Sequence, residues 1–101
     1  MTTLKVTEAK TTWEKTKGLL TSSKPYPLLL KTRWGIHTFG MRYPIDVVIV
    51  ERTHIAILKE NLKPNRIFLW NPKYEIVLEL PSGFIRKNKL KIGTKLQLIM
   101  E

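Results

Sequence analysis

The sequence predicts a mainly β fold, a small antiparallel sandwich or partly closed barrel with two short helices. Strand-type patterning dominates from Leu28 to the C-terminus, and turn residues recur at short intervals between the apolar runs. No stretch is left for repeated β–α–β crossovers, which removes the doubly wound folds. At 101 residues the chain suits one domain, residues 1–101, with material for one hydrophobic core and not for two.

The elements follow in order. Thr11 and Glu14 form a T-x-x-E capping box, in which each side chain satisfies a backbone N–H at a helix start, so a helix is predicted from near Thr12. Trp13, Thr16, Leu19 and Leu20 then share one face, and Gly18 lets that helix lie close to a sheet. The loop Thr21–Pro27 ends it. Leu28–Lys31 reads as a strand and Ile45–Glu51 as a mostly buried one. His54–Lys59 alternates around Ile55 and Ile57, Tyr74–Leu80 around Ile76, Leu78 and Leu80, and Lys95–Met100 closes the chain. Arg66–Trp70 is a further candidate strand, set off by Pro64 and Pro72. A second short helix is expected to open at Pro81–Ser82, with Ser82 capping it and Asn88 ending it in the left-handed conformation.

Composition narrows the function classes. An apolar share of 43% with 26% charged residues is that of a folded domain rather than a disordered tail. The longest aliphatic stretch, Val47–Val50, is far short of the roughly 20 residues that cross a bilayer, and Met1–Lys10 lacks the apolar segment of an export signal. A cytoplasmic location and no membrane partner are the default expectations. With no cysteine, disulfides, thiolate catalysis and Cys-type metal sites are excluded.

The formal net charge is +10. Residues 1–33 carry seven basic and two acidic side chains, residues 34–60 three of each, and residues 61–101 eight and three, so the excess lies toward the two ends. Such a surplus attracts phosphate backbones. It also serves as a Lys-rich solubilising surface of the kind found in heat-loving organisms, and 13 of the 18 basic residues are lysine, the cation less suited to reading phosphate or base edges.

One segment concentrates chemistry. Ile36 to Asp46 holds a histidine, an arginine, an aspartate, a methionine and two aromatics, punctuated by Gly40 and Pro44, and runs into the most apolar strand. Its His37-Thr38-Phe39-Gly40-Met41 and Pro44-Ile45-Asp46 motifs occur in order with Gly18-Leu19-Leu20 before them. Lys63-Pro64-Asn65-Arg66, Leu78-Glu79-Leu80-Pro81-Ser82-Gly83 and Leu90-Lys91-Ile92-Gly93 follow. Together these resemble the family known as domain of unknown function 192 over about residues 13–98, with Ser82 where alanine is usual. The resemblance implies a mainly β fold with short helices and no known activity.

Each prominent residue has a bland reading and a sharp one. Asp46, at the head of an apolar strand, needs a partner if buried, and a structural ion pair with Arg42 or Arg66 is the plainest. A carboxylate–imidazole pair with His37 would instead serve general-base chemistry. His37 and His54 with Asp46, Glu51 or Glu79 would offer a metal site, although no H-x-H or H-x-x-x-H spacing supports one. His54 reads as a turn residue able to take positive φ. Met41 and Phe39 read as wall. Trp34, if exposed beside Arg33, would offer a stacking platform for bases. No nucleophile motif and no phosphate-cradling glycine loop occur.

The favoured expectation is a non-enzymatic binding domain. Its candidate ligand-binding residues are His37, Phe39, Met41, Arg42, Asp46 and Arg66 in one pocket, its ligand a small anion or a segment of a partner protein, and no cofactor is implied. The second expectation is a nucleic-acid-binding module using the Lys-rich ends. A small hydrolase or lyase built on His37 and Asp46 is the third.

Overall fold

Leu4 and Val6 alternate with threonines and charges at the start of the chain, a period-two pattern not included among the strands above. The computed structural model describes residues 1–8 and 27–100, and there this stretch forms β1, Thr2–Glu8. The remaining strands are β2 (Leu28–Lys31), β3 (Gly35–His37), β4 (Ile45–Glu51), β5 (His54–Leu62), β6 (Ile67–Leu69), β7 (Ile76–Pro81) and β8 (Leu96–Met100). Among the described residues one helix, α1 (Phe84–Lys87), lies between β7 and β8. The helix expected from Thr12, with Trp13 on its face, falls outside the described residues.

Six strands form one sheet in the order β5-β4-β7-β2-β1-β8, and β3 pairs with β6 in a separate ribbon. From β5 through β2 the sheet is antiparallel. β1 then runs parallel to both β2 and β8, so the sheet is mixed where a purely antiparallel one was expected. A parallel pair needs a long connection, and β1 and β2 are separated in sequence by residues 9–27.

The sheet curls until its outermost strands meet at one end. His54, at the start of β5, bridges Lys95, just before β8. There Ile55 N–H donates to Thr94 O at 2.9 Å and Leu96 N–H to Thr53 O at 2.7 Å. This is the partly closed barrel anticipated from the strand pattern.

The core is where the expectation fails. Two apolar layers form instead of one, because β4 buries every residue from Ile45 to Val50 and so serves both its faces. Val48 and Val50 face Leu78, Leu80 and Ile85 of α1. Val47 and Ile49 face the other layer, with Leu28, Leu30, Ile36 and Trp70. Sharing one sheet between two layers gives a small chain more buried apolar area than a one-layer estimate allows.

Three local expectations are corrected as well. Pro81 ends β7 rather than opening the helix, and Gly83, at φ 91°, is the N-cap. Asn88 sits at φ −97°, and the left-handed residue after the helix is Lys89 at φ 53°. In the β4–β5 turn it is Arg52 that takes positive φ, 56°, which leaves His54 free to begin β5.

Candidate functional site

Asp46 leaves solvent altogether, with 0% of its surface exposed. Its position on β4 shares the parity of Val48, which aims it at α1. Both carboxylate oxygens accept backbone hydrogen bonds there. Oδ1 takes the Asn61 N–H at 2.9 Å, while Oδ2 takes the Gly83 N–H at 3.1 Å and the Ile85 N–H at 2.9 Å. The side chain therefore caps α1 from across the fold, in place of the Ser82 cap, since no side chain of the helix start does so. Ser82 Oγ donates instead to Asn61 Oδ1 at 3.1 Å. The same carboxylate pins the shift in the β4–β5 register at Ile45/Val47, opposite Asn61 at φ 54°. A polar pocket of about 300 Å³, lined by Asp46, Glu60, Asn61, Ser82, Gly83 and Arg86, adjoins it, and no histidine lines that pocket.

The ion pair anticipated between Asp46 and Arg42 or Arg66 is not formed; backbone amides take the place of the guanidinium. The carboxylate–imidazole pair is not formed either. His37 Nδ1 accepts the Phe39 N–H at 3.3 Å, and its ring stacks on Phe39 with centroids 5.0 Å apart. Among the described residues no three His, Asp or Glu side chains gather as a metal-binding group.

A second polar centre, not singled out from the sequence, holds the ribbon. Thr38 is fully buried; its hydroxyl donates to Lys63 O at 2.7 Å and accepts the Arg66 N–H at 2.9 Å. Its own N–H donates to Arg66 O at 2.9 Å, and its carbonyl accepts from Met41 and Asn65. Asn65 completes the junction by accepting the Gly40 N–H at 3.0 Å. One threonine thus ties the end of β3 to the turn before β6. The sequence signal for it was the pairing of His-Thr-Phe with Lys-Pro-Asn-Arg, two motifs that the fold brings together.

On that ribbon Ile36 is buried and Phe68 half-buried, both toward the core, while the alternate residues face outward. The outer face is apolar. Trp34 is 67% exposed, Leu69 70%, Ile67 60% and Phe39 49%. These four, with Arg33, His37 and their neighbours, line an open groove of about 460 Å³. Gly35 forms part of its floor, and a Cβ there would meet Leu69 Cδ2 and Phe68 O, each at 2.6 Å. Among the described residues no lysine and no acidic residue line the groove.

Trp34 is held in an uncommon backbone state. Its φ is 77°, and Gly35 N–H donates to Arg33 O at 3.0 Å across it, which makes a γ-turn of the strained positive-φ kind. Arg33 anchors the turn, donating to Pro72 O at 2.8 Å and pairing with Glu75 at 3.4 Å.

The six sequence candidates do not share one pocket. His37 and Phe39 line the groove. Met41 is buried in the core layer behind the ribbon, and Asp46 lies in the separate polar pocket. Arg42 and Arg66 are exposed and line neither cavity, Arg66 standing immediately before β6. Trp34, Ile67 and Leu69 are exposed apolar groove residues that were not among the candidates. Trp70 is buried, and Glu79 is 2% exposed, hence covered rather than solvated.

The family model of DUF192, described as an uncharacterised ACR, matches residues 1–98, and the chain belongs to that family. No curated protein matches it. Among solved structures, a protein of unknown function from Novosphingobium aromaticivorans is similar at a TM-score of 0.68 and 18% identity, over 89% of this chain and 70% of that one. A protein of Sinorhizobium meliloti proposed as a transcription regulator is similar at a TM-score of 0.67 and 15% identity, over 89% and 76%. At these identities the likeness is one of fold. No helix among the described residues is long and apolar enough to cross a membrane.

Proposed function

We propose that this DUF192 chain is a non-enzymatic binding domain that docks an apolar segment of a partner protein on the outer face of the β3–β6 ribbon. The observation that carries the reading is Trp34. A bulky residue at φ 77° costs about 1–3 kcal/mol where glycine would cost little, and its indole is 67% exposed, so the strain is not returned by burial. Strained, exposed aromatics of this kind are more readily explained by binding than by folding.

The surroundings favour a protein segment over nucleic acid. Beside the rings of Trp34, His37 and Phe39, which could stack on a base, Ile67 and Leu69 add aliphatic surface that could not. Among the described residues the one arginine of the groove is already engaged by Pro72 and Glu75, and no lysine lines it to meet phosphates. An exposed apolar cluster rimmed by polar residues is instead the usual mark of a protein contact.

The test is selection from a displayed random-peptide library. Wild-type protein should enrich peptides rich in apolar residues, and Trp34→Ala should retain none of them at equal folded concentration. Equal retention by both proteins would remove the groove from the account. Labelled single-stranded RNA serves as the competing ligand, and submicromolar binding that Trp34→Ala abolishes would move the reading to nucleic acid.

A further inference from the structure

The ribbon has an open edge as well as an apolar face. Thr38 N–H donates to Arg66 O and Trp70 N–H to Trp34 O, each at 2.9 Å, with Ile36 opposite Phe68. In an antiparallel ladder this phase turns the N–H and C=O of Phe68 toward β3 and those of Ile67 and Leu69 away from it. β6 has β3 as its only strand neighbour among the described residues, and no described group meets the outward amides of Ile67 and Leu69. Edge strands are commonly guarded by shortness, lysine, proline or a bulge; β6 is short, three residues, yet carries two exposed aliphatic side chains, Ile67 and Leu69, and no lysine.

We infer that β6 accepts an extended peptide as an added strand, one with apolar residues at alternate positions and acidic residues at its ends. This rests on the docking reading above and names the form of the partner. Two kinds of group point outward from β6 at the same residues: amides open to a backbone partner, and side chains that an apolar partner would cover. An extended chain supplies both, since its backbone pairs with the edge while every second side chain lies toward Leu69 and Trp34. Charge selects the ends. The described residues of the groove lining include no acidic one, Arg66 and Lys63 precede β6, and the chain carries +10 overall. A second copy of this chain would bring a further +10 to the same edge, so self-pairing is opposed where an acidic segment is drawn in.

The probe is a short synthetic peptide with valine at alternate positions, threonine between them and aspartates at both ends, added to the intact chain. Amide exchange read by NMR should slow by about tenfold at Ile67 and Leu69, the gain expected of one added hydrogen bond each. Phe68 and Trp70, already in the ladder, should change little. Leu69→Ala keeps the outward amide and should weaken binding, while Leu69→Pro removes it and should abolish binding. If Leu69→Pro does not fold, the exchange pattern of the wild-type protein decides alone. A peptide that shifts the Trp34 indole resonance without protecting Ile67 and Leu69 overturns strand addition and leaves docking on the face intact. A peptide that does neither, while library peptides still bind through Trp34, also overturns it. Protection of the same two amides in a dimer of the free protein would put a second copy in the place of the acidic segment and overturn its selection.

Discussion

Two regions of this molecule use polar chemistry in opposite ways. At the Asp46 corner a fully buried carboxylate has three backbone N–H partners, which join β4, the end of β5 and the start of α1. At the β3–β6 ribbon the backbone itself is under strain at Trp34, and apolar side chains stand in solvent. The corner resembles a finished piece of folding: every strong group has a partner inside the chain. The ribbon has groups for which the described residues supply no partner. On the proposal made above, function is to be sought where the chemistry looks plain, while the aspartate that stands out in the sequence has its hydrogen bonds taken up by the backbone.

Substitutions can break this contrast at either end. Asp46→Ala should have the largest effect, a loss of about 4 kcal/mol by denaturant unfolding, because one buried and two part-buried N–H groups lose their shared acceptor together. Thr38→Val, nearly isosteric, should cost about 2–3 kcal/mol by leaving Lys63 O and Arg66 N–H without their hydroxyl partner, and it should loosen the groove as well. Gly35→Ala should cost about 1–3 kcal/mol, since the new methyl meets a backbone oxygen that cannot swing aside. A cost near zero for Asp46→Ala would return that residue to the list of functional candidates. His37→Ala should change stability least, by about 0.5 kcal/mol or less, while weakening peptide binding through loss of the Phe39 stack.

The contrast also marks what a linear sequence discloses. Strands with strong apolar pattern were legible: β2 and β4 match their expected bounds, and β5, β7 and β8 differ only at their ends. β3 was missed because three residues between a γ-turn and a bend carry no measurable periodicity. The parallel placement of β1 depends on where the chain returns after residue 9, which local pattern does not encode. At the candidate site, the need of Asp46 for a partner was readable from its apolar flanks, but the partners stand 15, 37 and 39 positions away and are backbone amides, which no residue type announces. His37 and Phe39 were found by their chemistry. Ile67 and Leu69 were hidden because an exposed aliphatic residue and a core one look alike until the fold shows which way each points.

The most direct test of the contrast is Trp34→Gly, measured for thermal stability and for binding of the selected peptides in parallel. Relief of the positive-φ strain should leave the melting temperature unchanged or raised, and binding should be lost. A clear fall in melting temperature with binding retained would show that Trp34 serves the fold, and that the ribbon is scaffold like the Asp46 corner.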